Sequence, residues 1–209
     1  MSIRIAVLVS GQGRGTNMQA IIDACKSGKI DGEVSLVLGV NDVAPAIERA
    51  REQNLETLAV DPKSFGSTQD YDNAVFSALQ EHNIDLICLA GYMRLLGPNV
   101  LSSYRNKIMN VHPALIPSFC GKGMYGHHVH EAVLKRGVKF TGVTVHLVDE
   151  DYDTGPIVLQ AIVPVEDDDT PDTLAARVLK SEHETYTTAI ALFAEGKLEV
   201  KDRRVKTVL

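Results

Sequence analysis

The chain has 209 residues, 44% hydrophobic and 23% charged, a balance that suits one packed domain and argues against a disordered chain. Its formal net charge of −6 argues against non-specific binding to nucleic acid or an anionic membrane, both of which want a basic surface. Three widely spaced cysteines, Cys25, Cys88 and Cys120, form no C-x-x-C pair, so neither a disulfide scaffold nor a zinc knuckle is expected, and a reducing cytoplasm fits.

Residues 3–9 form an unbroken aliphatic run, as a strand buried on both faces requires. The run is too short for a membrane span and enters a glycine loop, so it reads as a first strand and not as a signal sequence. Met18, Ile21, Ile22 and Cys25 share one face and predict a helix over 18–26. A second strand is expected at 34–40, and a helix over 44–52 starting near Pro45. A short third strand at 56–60 precedes an amphipathic helix over 71–82, with Tyr71, Val75, Ala78 and Leu79 on one face. A fourth strand at 85–90 completes an alternation of strands with 10–15-residue helices, the pattern of βαβ units and a parallel sheet.

The second half reads differently. A short strand at 107–111 leads into a loop at 114–126, rich in glycine and proline. A helix over 129–135 precedes two strands, 141–149 and 157–165, joined by a polar loop and expected to be antiparallel. A long helix over 172–194 starts after Thr170-Pro171. The tail beyond Gly196 alternates weakly and ends basic. The acidic run 166–169 reads as a solvated turn. The fold class expected is α/β: a single domain with a mostly parallel Rossmann-like sheet, helices on both faces and an antiparallel C-terminal strand pair.

Three segments carry candidate chemistry. Ser10-Gly11-Gln12-Gly13-Arg14-Gly15-Thr16-Asn17 joins the first strand to a helix, where backbone N–H groups and the helix dipole can hold an anion. It matches neither G-x-G-x-x-G nor Walker A. A second reading, compatible with the first, is a capping box in which Thr16 and Gln19 serve the helix alone. Asn110-Val111-His112-Pro113 ends a strand; residues two apart share a face, so Asn110 and His112 converge. An amide beside an imidazole suits acyl transfer, because both can donate to a developing oxyanion. Among the acids of Asp149-Glu150-Asp151-Tyr152-Asp153, one could reach inward and hold the imidazole charged. His146 is either a satisfied core histidine or part of the site.

V-L-V-S-G, L-A-G-Y-M-R-L-L, N-V-H-P-A-L-I-P-S-F and V-H-L-V-D-E-D-Y-D-T-G-P-I-V-L-Q occur in this order. In these motifs, over essentially its whole length, the chain resembles the phosphoribosylglycinamide formyltransferase family. The resemblance implies an enzyme that moves the formyl group of 10-formyltetrahydrofolate, a co-substrate, to the amine of glycinamide ribonucleotide in de novo purine biosynthesis, with no metal. It implies Asn110, His112 and Asp153 as the catalytic trio, with Asp153 raising the His112 pKa. It implies Gly15, Thr16, Asn17, Lys180 and Glu182 as ribonucleotide contacts, and Met93, Arg94, Leu95, Leu96, Asn110 and residues Asp149, Glu150, Asp151, Tyr152 and Asp153 as the folate site. A half spanning 1–105 would hold the ribonucleotide phosphate and a half spanning 106–209 the catalytic and folate groups of one domain.

The resemblance further implies a cis peptide at Ile116-Pro117 and places His128 and His130 near the substrate; a metal role for His127, His128 and His130 finds no ordered ligand set. The glycine loop is two residues longer than the family's S-G-x-G-S-N form, and Thr68 stands where some relatives carry Arg, with Lys107 a candidate substitute. Partners would be small-molecule substrates only, without nucleic acid or membrane, in a monomer or homodimer. The length and acidity of the chain disfavour a methionyl-tRNA formyltransferase with its basic RNA-binding domain. A formyltetrahydrofolate hydrolase and a non-catalytic nucleotide-binding module on the same fold are the remaining alternatives.

Overall fold

The computed structural model describes residues 2–208. The chain divides into two compact units after Met109. In the first, β1 (Ile3–Val9) lies between two parallel partners, β2 (Gly32–Gly39) and β4 (Leu86–Ala90), with β3 (Thr57–Ala59) beyond β2. The aliphatic run of β1 is buried because neighbours flank it on both edges and α1 (Thr16–Lys26), α2 (Pro45–Glu52) and α3 (Thr68–Glu81) bring their own apolar faces. Val9 pairs with both Gly39 and Ala90. The three strands therefore end level, and the loops after β1 and β4 leave the same sheet edge, where ligands bind in parallel α/β sheets. A six-residue helix, α4 (Pro98–Ser103), follows the second of these loops.

β5 (Ile108–His112) straddles the division. The second unit continues with α5 (His127–Arg136), the antiparallel pair β6 (Phe140–Leu147) and β7 (Ile157–Pro164), and α6 (Pro171–Ala194). The strands bond in the order β3-β2-β1-β4-β5-β6-β7, the expected α/β class. Ala114, Val129, Val133, Val143, Val163, Leu174 and Val178 form the core of this unit. A reciprocal cap starts α6: the Thr173 amide donates to Thr170 Oγ at 3.2 Å and the Thr170 amide donates to Thr173 Oγ at 2.9 Å. Such a cap is worth about 1 kcal/mol.

Two expectations change and a third element takes definite form. Thr16 is not a cap: α1 starts at Thr16 itself, its N-cap is the left-handed Gly15, and no side chain caps the helix. The weakly alternating tail forms a hairpin of β8 (Leu198–Lys201) and β9 (Arg204–Thr207). The acidic run is not wholly solvated, because Asp169 is half-buried, its side chain 2% exposed, and accepts two 2.7 Å hydrogen bonds from Arg177. That pairing, outweighing the cost of burial, holds the Asp169 carboxyl far below its ordinary range. Among the described residues no helix is long and apolar enough to cross a membrane.

Candidate active site

Asn110 and His112 sit at the end of β5, and Pro113 stops the strand there. The chain beyond is held by one buried hydroxyl. Thr144 Oγ donates to the Ala114 carbonyl at 2.7 Å and accepts from the Ile116 amide and from Gln160 Nε2, each at 3.0 Å. The Ile116-Pro117 peptide is cis.

Asn110, His112, Asp153 and His146 form one connected set within the second unit. His112 Nδ1 lies 3.6 Å from Asp153 Oδ2, and His146 Nε2 lies 3.5 Å from Asp153 Oδ1. Asn110 Nδ2 meets His146 Nε2 at 3.2 Å. His146 Nδ1 must donate to the Leu147 carbonyl at 2.8 Å, because a carbonyl only accepts. A neutral His146 thus offers a lone pair at Nε2, which accepts from the Asn110 amide and fixes its orientation. A protonated His146 turns an N–H towards Asp153 instead. His112 is likewise assigned: Nε2–H donates to the Phe119 carbonyl at 2.8 Å, leaving Nδ1 for Asp153.

Burial pushes the His112 pKa below its ordinary value, and His146 adds to that push, while Asp153 and the Phe119 carbonyl pull it up without prevailing. In the unliganded site Asp153 does pull the His112 pKa up, but desolvation of this residue, 4% exposed, outweighs its carboxylate partner, so the net direction is down. Burial of Asp153 raises its carboxyl, but the bond to His146, the charge of His112 and the Gly121 amide, which donates to Oδ2 at 2.8 Å, bring it below the usual carboxylate range.

The loop bearing Asp153 has a built conformation. Asp153 has φ 58°, in the left-handed region. A Cβ on Gly155 would lie 1.8 Å from the Leu147 carbonyl oxygen, so only glycine fits. Thr154 Oγ donates to Asp149 Oδ1 at 2.5 Å, and the Arg203 guanidinium donates to the Thr154 carbonyl. Glu150, Asp151 and Tyr152 are exposed. Ile116, Pro117, Cys120, Asp153, Thr154 and Pro156 line a cavity of about 410 Å³. Burial first, and then Asp153, raise the Cys120 pKa, so this residue stays a thiol.

In the first unit the glycine loop is shaped by backbone. Gly15 has φ 71°, and a Cβ there would lie 2.9 Å from the Ala46 Cβ. Ser10 Oγ accepts from the Gly13 amide at 3.1 Å. Thr16 and Asn17 open α1. In the loop after β4, Leu96 is buried, whereas Met93 and Leu95 are 44% and 48% exposed and Arg94 is exposed. In the second unit Lys180 is exposed on α6 and Glu182 is half-buried. His127 and His128 lie 3.6 Å from Asp172 and Glu131 respectively. His130 is 4% exposed, and its Nδ1 has no hydrogen-bond partner; burial, with His127 and His112 nearby, lowers its pKa to about 4. Among the described residues no group of His, Cys, Asp and Glu could hold a metal ion. His146 could be found from sequence only as one of two open readings, and the carbonyl and amide partners at Phe119 and Gly121 left no signal there.

Residues 3–190 match a family model described as formyl transferase. A phosphoribosylglycinamide formyltransferase of Escherichia coli is 38% identical over 96% of this chain and 91% of its own length. The trifunctional purine biosynthetic protein adenosine-3 of Gallus gallus is 38% identical over 95% of this chain, which spans only 19% of that longer protein. The solved structure of glycinamide ribonucleotide transformylase 1 from Symbiobacterium toebii superposes with a TM-score of 0.93 at 44% identity, covering 100% of this chain and 95% of the other.

Proposed function

The chain belongs to the formyl transferase family, and we propose how its residues serve that chemistry. The protein transfers the formyl group of 10-formyltetrahydrofolate to the amine of glycinamide ribonucleotide, a step of purine biosynthesis, as the bacterial relative named for this activity supports. The substrate amine is itself the nucleophile, so no enzyme thiol or hydroxyl has to attack. This fits a site where the thiol lining the cavity, Cys120, is kept protonated.

The amine attacks the formyl carbon and a tetrahedral oxyanion forms. Asn110 keeps one amide N–H for it while His146 takes the other. The Phe119 carbonyl marks the acceptor position that the oxyanion takes over at His112 Nε2. The attacking nitrogen must lose a proton. The Asp153 carboxylate, beside His112 and His146, receives it through a water. The proton returns to the folate nitrogen as the carbon–nitrogen bond breaks. Met93, Arg94, Leu95, Leu96 and the loop 149–153 contact the folate. Gly15, Thr16 and Asn17 at the start of α1 take the phosphate, and Lys180 and Glu182 the ribose.

The observation that carries this reading is the chain of contacts Asn110–His146–Asp153–His112, each 3.2–3.6 Å long. A formyl-transfer assay tests it. Tetrahydrofolate release should require glycinamide ribonucleotide and yield the formylated ribonucleotide. Release without the ribonucleotide, with formate as product, would show a hydrolase; no turnover of either kind would show a binding module.

A further inference from the structure

The loop 91–97 owes its shape to α3. Three consecutive residues of that helix grip the loop or the first turn of α4 that follows it. Tyr71, 5% exposed, shares a 2.7 Å hydroxyl–hydroxyl hydrogen bond with Tyr92, 6% exposed, at the start of the loop. The face of the same ring lies 4.9 Å from the Arg94 guanidinium carbon, and Phe65 packs edge-on against it at 5.8 Å. Asp72, 3% exposed, accepts from the Asn99 amide at 3.2 Å. Gly97 packs so closely on it that a Cβ there would sit 2.0 Å from the Asp72 carboxyl carbon. Asn73 Oδ1 accepts from Asn99 Nδ2 at 2.7 Å.

The grip has a consequence for the loop's outer face. With Tyr92 and Leu96 buried and Arg94 drawn onto Tyr71, Met93 and Leu95 are left half-exposed. A flat, partly apolar ligand would cover such side chains. Burial pushes the phenols of Tyr71 and Tyr92 up, so the hydroxyl pair stays neutral.

We propose that Tyr71 is a positioning residue for folate binding, acting through Tyr92 and Arg94 to set the loop that meets the co-substrate. This rests on the reading of residues 93–96 as folate contacts. A merely structural role would lower stability and affect both substrates alike, whereas positioning affects one.

The test is Tyr71→Phe, Tyr92→Phe and the double variant, each assayed with one substrate varied at a time. Each single variant keeps its ring and leaves the partner hydroxyl buried without its bond. The KM for 10-formyltetrahydrofolate should rise about three- to tenfold, with kcat and the KM for glycinamide ribonucleotide within about twofold of the parent. The double variant should do no worse than the poorer single one, because it removes the stranded hydroxyl as well. Calorimetric titration with tetrahydrofolate should show the same loss in Kd without any turnover. Equal changes in both KM values, or an unchanged folate KM and Kd, would overturn the proposal. Leu95→Asp separates the two readings. If it weakens folate while Tyr71→Phe does not, the pocket stands and the positioning role falls. If neither weakens folate, the pocket reading fails and takes the proposal with it.

Discussion

The glycine loop of the first unit and the Asp153 loop of the second are held in opposite ways. The glycine loop takes its shape from backbone freedom: Gly15 is left-handed, no side chain caps α1, and Ala46 leaves no room for a Cβ. The Asp153 loop takes its shape from polar side chains, with Thr154 on Asp149, Arg203 on the Thr154 carbonyl, and Asp153 between two histidines. A loop of the first kind offers N–H groups and suits an anion. A loop of the second kind offers fixed side chains and suits proton transfer. The two should therefore fail differently: the first when atoms are added, the second when one polar atom is removed.

The largest effect should come from the second loop and its partners. Asn110→Ala removes an oxyanion donor and Asp153→Asn removes the charge beside His112. Each should lower kcat by about 10²–10³-fold, roughly 2.7–4 kcal/mol of transition-state stabilisation. Steady-state kinetics beside thermal melts check this; lost turnover with an unchanged melting curve places the effect in chemistry.

A pH experiment addresses the burial that dominates the second unit. His130 is held neutral with its pKa near 4, while in the unfolded chain it protonates near ~6.5. Unfolding then takes up a proton below that value, so stability is full above pH ~6.5 and falls as pH drops towards 4, by about 2–3 kcal/mol from this residue. His112 and His183, both lowered by burial, act in the same direction. Urea melts at pH 7 and pH 5 should show the loss, and His130→Gln should flatten it.

Gly15→Ala tests the backbone-shaped loop. A left-handed φ and the 2.9 Å approach to Ala46 should cost about 1–2 kcal/mol of stability and raise the KM for glycinamide ribonucleotide more than that for folate. The smallest effect belongs to Thr16→Ala. Because its hydroxyl caps nothing, stability should change by less than about 0.5 kcal/mol, against the ~1 kcal/mol of a true cap. Chemical denaturation of the two variants side by side shows whether backbone or side chain shapes the loop.

Much of this architecture was legible in the residues. The run Ile3–Val9 is a strand with the expected bounds, because an aliphatic stretch of that length between polar ends has few other solutions. The paired strands β6 and β7 and the long α6 followed from apolar patterning and the Thr170-Pro171 start. Not every short element was legible: the six residues of α4 and the four-residue strands β8 and β9 carry too few periods to stand out. At the site, the i, i+2 spacing placed Asn110 and His112 on one face. Nothing in the spacing singled out Asp153 from its acidic neighbours; that came from family resemblance, and the structure shows the left-handed turn that aims it inward. The net direction of the His112 pKa was not legible, because a neighbouring carboxylate is visible in sequence whereas the degree of burial is not.

The most direct test is the turnover of His112→Ala with saturating 10-formyltetrahydrofolate and glycinamide ribonucleotide. If His112 faces the oxyanion beside Asn110, kcat should fall at least about 100-fold while both KM values stay near those of the parent. Turnover within a few-fold of the parent would contradict the account, since the Asn110–His146–Asp153–His112 chain would then lack the member through which it acts.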